Sequence, residues 1–140
     1  LAWAEVVEDV TSLTVMFATL KCMNILHDQY HMKFEEVLSD NGPEFGQRTS
    51  KQKQGHPFER MLMELGIKHR YTQPYRPQTN GKVERFWRTL HEDLIEGTDF
   101  DSLEEFKDEV LQYLCYYNHE RPHQGIEGKT PADMVPKEEK

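Results

Sequence analysis

The stretch from Phe34 to Phe45, FEEVLSDNGPEF, takes the chain from a strand into a turn. Its first part, Phe34–Ser39 (FEEVLS), predicts a short strand. The next four residues, Asp40-Asn41-Gly42-Pro43, each favour turns and end that strand. The carboxylate of Asp40 therefore stands at a strand end, which is where α/β folds gather functional groups.

On the N-terminal side of this stretch, the pattern predicts a strand and then a helix. Ala2–Glu8 (AWAEVVE) favours a strand with bulky apolar side chains. Thr11 or Ser12 can cap a helix that runs to about Tyr30. The apolar side chains expected on one face of that helix are Leu13, Met16, Phe17 and Leu20.

On the C-terminal side, a polar segment over 46–55 without periodicity predicts a loop, and a helix follows it. Pro57 suits a first helical turn, and Gly66 can close the helix in the left-handed conformation. The apolar positions i, i+3, i+4 and i+7 of this helix are Phe58, Met61, Leu62 and Leu65. Ile67–Thr72 then predicts a third strand, in which Ile67, His69 and Tyr71 alternate with basic residues.

Two more helices are predicted beyond a proline-containing loop over 73–81. Asn80 can cap the first of them, and Ser102 with Glu105 forms a capping box for the second. The expected buried face of the first helix is Val83, Trp87, Leu90 and Leu94. That of the second is Leu103, Phe106, Val110, Leu114 and Tyr117. Strands separated by helices indicate an α/β fold.

Composition places the chain among globular proteins. Its 140 residues are 36% hydrophobic and 30% charged, which suits one domain. No apolar run approaches the ~20 residues of a membrane span, and no signal peptide pattern opens the chain, so we expect a protein without a membrane partner. Cys22 and Cys115 have no CxxC partner, which predicts reduced core thiols in a cytosolic protein.

Charge is unevenly distributed along the chain. The formal net charge is −8, yet six basic residues and one acid lie between Lys68 and Arg88, whereas nine acids and one lysine lie between Glu92 and Glu109. A polyanion responds to the local potential, so an acidic protein can still present a DNA-binding face. Two ordinary solvated faces would give the same pattern, and charge alone leaves both interpretations open.

Four segments resemble the motifs of one known family. Residues 39–45 (SDNGPEF) resemble its "DNG-EF" motif, and 77–85 (PQTNGKVER) resemble its "PQTNGKVER" motif. Residues 117–124 (YNHERPHQ) and 129–131 (KTP) resemble the "YN-xx-RPH" and "KTP" motifs that follow. On these grounds the chain resembles the integrase-type catalytic cores of bacterial insertion-sequence transposases and, more distantly, retroviral integrases.

The resemblance implies a ribonuclease-H-like α/β fold, with a mixed sheet flanked by helices, and DNA cleavage followed by strand transfer. In that family, an Asp-Asp-Glu triad binds two Mg²⁺ or Mn²⁺ ions. Asp40 matches the second carboxylate of that triad and Glu84 the third, so both are expected to be catalytic and to bind metal. A metal-activated water frees a 3′-hydroxyl, which then attacks target DNA in line, without a covalent enzyme intermediate.

The matching motifs also imply roles for eight other residues. The residues expected to shape the loops at the metal site are Asn41, Gly42, Asn80 and Gly81. Those expected to contact DNA phosphates are Lys82, Arg85, Arg88 and Arg76. For the three cations that lie on the predicted helix, solubility is the competing explanation.

The resemblance further predicts that the chain begins inside the core, at Leu1. The family's first Asp lies on a strand that, with a second strand, precedes Ala2–Glu8, so the sheet is expected to lack its first two strands. Asp9 follows a predicted strand and leads into a helix, which is the wrong place for that carboxylate. The chain alone is therefore expected to be inactive and only marginally folded. The predicted domains are a core over 1–117 and an extension over 118–140 with the last two motifs.

Forty-three residues separate Asp40 from Glu84, more than the family's usual spacing, which predicts an insertion in the 46–55 loop. The expected partners are the DNA of element ends and target and, at full length, further copies of the chain. The expected location is the bacterial cytoplasm, at the nucleoid. Two alternatives to strand transfer remain: a non-catalytic DNA-binding or subunit-interaction remnant, and a nuclease that cuts without joining.

Two weaker signals predict structure rather than chemistry. His27 and His31 are spaced as in HExxH, but no third ligand is evident, so an exposed helix end is expected. Trp87, Tyr116 and Tyr117 could stack on bases, but their helical spacing predicts core positions.

Overall fold

The computed structural model describes residues 1–46, 55–72 and 81–136. The chain divides into two compact units, which we describe separately. One is Val7–Lys82, called the Asp40 unit after its candidate carboxylate. The other joins Leu1–Val6 to Val83–Lys140 and is called the Glu84 unit.

The Asp40 unit opens with the predicted helix, α1, at Ser12–Tyr30. Thr11 is its N-cap, and the Thr11 side chain accepts from the backbone N–H of Thr14, one of the donors that a helix start leaves unpaired. The helix ends at His31, whose left-handed backbone (φ 56°) stops the helical repeat. The choice left open between Thr11 and Ser12 is therefore settled for Thr11.

Two parallel strands and a helix complete this unit. Strand β1 is Glu36–Ser39, helix α2 is Pro57–Glu64 and strand β2 is Lys68–Tyr71. The strands pair from Glu36 with Lys68 to Ser39 with Tyr71. Parallel neighbours need a crossover connection, and α2 lies within it. Both predicted strands are therefore present, each shorter than expected.

The core of the Asp40 unit lies between α1, α2 and the strands. Its buried members are Met23, Phe58, Met61 and Leu62. The expected face of α2 is confirmed except for Leu65, which is 51% exposed, and Gly66 is left-handed as predicted. The expected face of α1 is wrong at Leu13 and Phe17, which are exposed, because α1 turns Met16, Leu20 and Met23 towards the core instead.

The Glu84 unit is built on two helices. Helix α3 is Gly81–Leu90, continued by one π-helical turn at His91–Ile95, and helix α4 is Leu103–His119. Its core contains Ala4, Phe86, Val110 and Leu114, with Leu94, Phe106 and Tyr117 partly buried against them. The unit thus relies on apolar packing between helices.

The predicted buried face of α3 is partly wrong. Phe86 and Leu90 are buried, whereas Val83 is 52% exposed and Trp87 is 48% exposed. The spacing 83, 87, 90 and 94 fits one helical stripe, but the structure uses the stripe that passes through Phe86. The expected core position of Tyr116 is wrong as well, since it is exposed, and Tyr117 is partly buried.

The strand predicted at Ala2–Glu8 is absent, and the described structure of residues 1–10 is irregular. Ala4 is nevertheless buried in the core. The backbone of Ala2 both donates to and accepts from the side-chain amide of Asn118, at 2.8 Å in each direction. An asparagine amide offers one donor and one acceptor side by side, so it satisfies the backbone groups that a neighbouring strand would otherwise pair.

The start of α4 confirms the predicted cap in part. Ser102 accepts from the backbone N–H of Glu105, at 3.1 Å. The Glu105 carboxylate accepts from the N–H of Asp101 rather than Ser102, so the reciprocal half of the box is shifted by one residue. Leu103 is 44% exposed, contrary to expectation, because the first turn of α4 lies at the edge of the core.

Two further expectations concern the cysteines and the membrane. Cys115 is exposed and Cys22 is half-buried, so the prediction of core thiols is wrong for Cys115. None of the helices in the described ranges is long and apolar enough to cross a membrane.

Candidate functional site

Asp40 lies in the turn that directly follows β1. Its side chain is exposed, and its Oδ1 atom accepts from the backbone N–H of Gly42 at 2.8 Å. This is the local bond by which aspartates initiate turns. It fixes the carboxylate relative to the backbone while leaving it open to solvent, as a metal-binding carboxylate requires.

The residues beside Asp40 tie the turn to strand β2. Asn41 donates from Nδ2 to the carbonyl oxygen of Thr72, at 2.8 Å. The N–H of Thr72 in turn donates to the carbonyl oxygen of Ser39, at 2.8 Å. The turn is therefore anchored beside β2 by hydrogen bonds on both sides of Asp40.

Beneath the turn lies a buried set of polar side chains, Ser39, His69 and Glu59. Nε2 of His69 is 2.7 Å from Oγ of Ser39, and its Nδ1 is 2.8 Å from Oε1 of Glu59. The side chains of His69 and Glu59 are only 4% and 6% exposed. Buried charges are costly unless paired, so this cluster needs an explanation.

The same Glu59 oxygen is also reached by Tyr71. The Tyr71 hydroxyl has one hydrogen, and two acceptors lie within reach of it: Oε1 of Glu59 and the carbonyl oxygen of Phe45, the latter at 3.1 Å. Gly46 passes so close that an added Cβ would lie 2.7 Å from the Tyr71 hydroxyl and 2.8 Å from Cγ of Glu59. With φ of 107° as well, this position requires glycine.

Glu84 occupies a different setting, the first turn of α3. Its side chain is exposed, as are those of Lys82, Arg85 and Arg88 on the same helix. Within the described residues, none of these three cations forms an ion pair. Three exposed cations spaced three residues apart on one helix can contact successive phosphates.

Trp87 adds a flat apolar surface to this helix. It is 48% exposed, although its ring lies 5.2 Å from that of Phe86. A half-exposed tryptophan beside arginines offers a face on which bases can stack. The sequence pattern predicted a core position for Trp87 and left base stacking as the alternative, and the structure shows that the core prediction is wrong.

Two of the predicted site residues belong to segments that the structure does not describe. Arg76 and Asn80 lie outside the described residues, as does most of the predicted 46–55 loop. Gly81 begins α3. Asp40 and Glu84 belong to different units, and each has been placed within its own. The described residues contain no cluster of three or more His, Cys, Asp or Glu side chains suited to a metal.

Asp9, His27 and His31, which were not predicted to bind metal, have structural contacts. Asp9 accepts from Thr11 and from the hydroxyl of Thr14, and these hydrogen bonds, that from Thr14 foremost, lower the pKa of its carboxyl group. Nδ1 of His27 lies 3.0 Å from the carbonyl oxygen of Met32, and His31 ends α1. Asp9 thus serves the start of α1, and the two histidines serve its end.

The two C-terminal motifs hold the Glu84 unit together. Asn118 binds Ala2, as described, and Arg121 lies 3.3 Å from the Asp93 carboxylate. Tyr113 donates to the same carboxylate at 2.8 Å. Burial, and then the hydrogen bond to Asp93, raise the pKa of Tyr113 well above its usual range.

The last motif continues this arrangement. His123 donates its N–H to the carbonyl oxygen of Lys129 at 3.0 Å, and its ring packs edge-on against Tyr117. Thr130 and Asp133 form a reciprocal capping box around the short turn Pro131–Met134. These contacts give the YNHERPHQ and KTP segments structural roles within the unit.

The comparisons with known proteins agree with the sequence motifs. Residues 65–131 match the integrase core domain family. A transposase for insertion sequence element IS904 of Lactococcus lactis is 30% identical over 78 residues, which are 55% of this chain and 31% of that protein. The chain spans less than two fifths of the length of each of the first curated relatives that it matches.

Solved structures extend the likeness to nearly the whole chain. The catalytic core domain of BIV integrase superposes with a TM-score of 0.66 at 26% identity, covering 95% of this chain and 76% of that one. The HTLV-2 integrase catalytic core domain, solved with magnesium in a trimeric form, has a TM-score of 0.54 at 20% identity, covering 91% and 72%.

These findings define the class of the protein. The chain has the ribonuclease-H-like α/β fold of integrase catalytic cores, and it carries the integrase core motifs of insertion-sequence transposases. The resemblance inferred from four short motifs is therefore confirmed.

The sequence analysis did not identify Glu59, and it named His69 and Tyr71 only as alternating residues of a strand, without a role at the site. A signal was present, because His69 and Tyr71 occupy inward-facing positions of β2 and Glu59 is a charged residue among the buried residues of α2. A charge at a buried position has to find a partner, and the alternation of β2 showed which partners face inward.

Proposed function

We propose that this chain is part of a DNA strand transferase of the integrase and transposase type, with Asp40 and Glu84 as two of its metal-binding, catalytic carboxylates. The observation that carries the proposal is the Asp40 turn, an oriented and exposed carboxylate at a strand end, in a chain with the integrase core fold. The fold alone would not define a function, so the argument rests on the residues of the site.

The donors suit a divalent cation. Mg²⁺ and Mn²⁺ prefer oxygen ligands, and Asp40 and Glu84 are both exposed carboxylates. When bound, a pair of such ions neutralises the charge that develops on a phosphodiester during its cleavage. The magnesium reported for the HTLV-2 core supports the choice of ion. Within the chain, the bond from the Gly42 N–H keeps Asp40 in one orientation before the ion arrives.

DNA would lie along α3. Lys82, Arg85 and Arg88 carry the positive charge that attracts the phosphate backbone, and Arg76, directly before the 77–85 motif, is assigned the same role. We assign base stacking to Trp87, on the strength of its exposure. Since phosphate contacts carry no sequence information, these residues would position DNA rather than select a target sequence.

Metal binding by the chain tests the carboxylate assignment directly. We expect Asp40→Asn and Glu84→Gln each to weaken Mn²⁺ binding at least tenfold, as measured by calorimetric titration. Asp28→Asn, at an exposed position on α1, is the matched control and should bind as the parent chain does. Unchanged affinity in both test variants would overturn the assignment.

Activity is tested in the full product of the gene that encodes the chain, with Mg²⁺ and DNA carrying the element ends. We expect cleavage and joining, both abolished by Glu84→Gln. DNA binding without cleavage would favour the non-catalytic alternative, and nicking without joining would favour the nuclease. Sizing of the DNA complex would test the proposed multimer, which the trimeric HTLV-2 core supports.

The DNA interface has its own test. Replacing Arg85 or Arg88 by Ala should lower DNA affinity and reduce the slope of log affinity against log salt by about one. Lys107→Ala, on α4 beside Glu104, is the control and should leave the slope unchanged. If all three variants behave alike, the α3 cations serve solubility.

A further inference from the structure

The unexplained feature of the Asp40 unit is its buried polar cluster. The chain of contacts runs from Glu59 on α2, through His69 on β2, to Ser39, the last residue of β1. Ser39 then donates from Oγ to the carbonyl oxygen of Asp40, at 3.0 Å. A continuous path therefore connects a buried carboxylate to the backbone of the exposed one.

Donor accounting shows how the path is oriented. A serine hydroxyl has one hydrogen, and that of Ser39 is directed to the Asp40 carbonyl. The oxygen of Ser39 must therefore accept from Nε2 of His69, while Nδ1 of His69 faces Glu59. Nε2 of His69 therefore carries a proton, and the Glu59 carboxylate lies beside Nδ1 on the other side of the ring.

The cluster is also held from the far side of the turn. The Tyr71 hydroxyl joins Glu59 to the carbonyl oxygen of Phe45, beyond the turn that contains Asp40. The ring of Phe58 packs edge-on against His69, with centroids 5.3 Å apart. Glu59 thus connects to the chain both before and after Asp40.

The three residue types also suggest a nucleophilic site, but the burial of Ser39 excludes that function. Serine, histidine and glutamate in series also form the nucleophilic triads of hydrolases. Ser39 is only 7% exposed, and its hydroxyl hydrogen is already bound to a backbone carbonyl. No substrate can reach it, so the cluster holds the backbone rather than attacking a bond.

We propose that Glu59, His69 and Ser39 form a positioning relay that fixes the Asp40 turn and thereby prepares its carboxylate to bind a divalent cation. The second part of this inference rests on the proposed function, and the first part does not. Groups that orient a metal ligand typically change metal affinity roughly ten- to hundredfold when they are removed. The relay is buried and touches no DNA, so its effect is exerted through Asp40.

Ser39→Ala is the most selective test, because it removes one hydroxyl and leaves the contact between Glu59 and His69 in place. The backbone N–H of Gly42 donates a hydrogen bond to the Asp40 side chain. In the metal-free Ser39→Ala variant, we expect this N–H to exchange its hydrogen with solvent faster, as measured by NMR. Ser39→Thr restores the hydroxyl and should restore the slow exchange. Unchanged exchange in Ser39→Ala, with Phe58 and Leu62 resonances intact, would overturn the relay.

Mn²⁺ titration of the same variants tests the consequence for metal binding. Ser39→Ala and Glu59→Gln should each bind Mn²⁺ about tenfold more weakly than the parent chain, and Ser39→Thr should match it. Glu64→Gln makes the same charge change on the exposed side of α2 and should have no effect. Parental affinity in Ser39→Ala, alongside lost affinity in Asp40→Asn, would overturn the link to metal.

The two proposals fail in different ways. If Asp40→Asn binds Mn²⁺ as the parent chain does, the assignment of Asp40 as a metal-binding carboxylate is overturned. The relay then stands or falls on the exchange rate of the Gly42 amide alone. If Asp40→Asn loses affinity but the Gly42 amide is unaffected by Ser39→Ala, the proposed function stands and the relay is rejected.

Discussion

The two units support their carboxylates in opposite ways. In the Asp40 unit, the turn that bears Asp40 is anchored by a buried polar cluster centred on Glu59 and His69. In the Glu84 unit, Glu84 lies on an exposed helical turn, and the core of the unit is mainly apolar, with the Asn118 clamp and the Tyr113–Asp93 bond as polar contacts. A turn has no regular backbone ladder to hold it, whereas a helix supplies its own hydrogen bonds, so only the turn needs side chains beneath it.

The largest expected effect comes from removing one carboxylate from each unit. Glu59→Ala would remove the carboxylate that lies beside the buried His69 and Tyr71 side chains and should lower the free energy of unfolding by about 3–5 kcal/mol. Glu84→Ala removes an exposed group and should change it by no more than about 0.5 kcal/mol. Urea denaturation measures both. Similar values for the two variants would remove the contrast between the units.

Two glycines sharpen the comparison. Gly46→Ala should cost about 3 kcal/mol, because its backbone is left-handed and an added Cβ would meet Tyr71 and Glu59. Gly97, in the Glu84 unit, is also left-handed but has open space around it, so Gly97→Ala should cost only about 1 kcal/mol. Thermal unfolding of the two variants distinguishes crowding from backbone strain. A milder effect at Gly46 would mean that the cluster can move aside.

Each unit has an asparagine whose side chain forms hydrogen bonds with a distant backbone segment: Asn118 with Ala2, and Asn41 with Thr72. Asn118→Ala removes both hydrogen bonds to Ala2 and should cost about 2 kcal/mol. Asn41→Ala removes one exposed bond and should cost about 0.5 kcal/mol. Amide exchange at Ala4 should also increase in Asn118→Ala, since the clamp holds that segment. No change at Ala4 would show that its apolar packing suffices.

The smallest effect is confined to alkaline pH. The pKa of Tyr113 is raised, so between the unfolded value near 10 and the folded value the native chain retains a proton that the unfolded chain has lost. The free energy of unfolding therefore falls as pH rises above about 10. Tyr113→Phe should flatten that fall, and Tyr116→Phe, exposed on the same helix, should not. Equal slopes in the two variants would contradict the buried Tyr113–Asp93 bond.

Much of the fold could be predicted from local patterns. The bounds of α1, α2 and α4 lie close to those read from caps and apolar spacing, and both described strands were anticipated. Errors arose where two stripes of one helix compete, as with Phe86 against Trp87. Helical periodicity fixes which residues share a face, but the neighbouring elements decide which face is buried.

The candidate site divides in the same way. Asp40, Glu84 and the cations of α3 were identified from motifs, because their chemistry is carried by short runs of sequence. Glu59 was not, since it lies 19 residues from Asp40 and its partner His69 lies on another element. Its one signal is its position among the buried residues of α2, and that signal becomes clear only when the packing of the helix is known.

The sequence by itself determined the resemblance to integrase cores, the helices and two of the three predicted strands, and the carboxylates expected to carry the chemistry. Caps, turns and periodicity act over a few residues, so they can be recognised in the sequence without a structure. Only the tertiary structure decided that Asn118 replaces a strand partner for Ala2, 116 residues away, and that Ser39, His69 and Glu59 meet beneath Asp40. Such contacts depend on how elements pack, which local patterns do not specify.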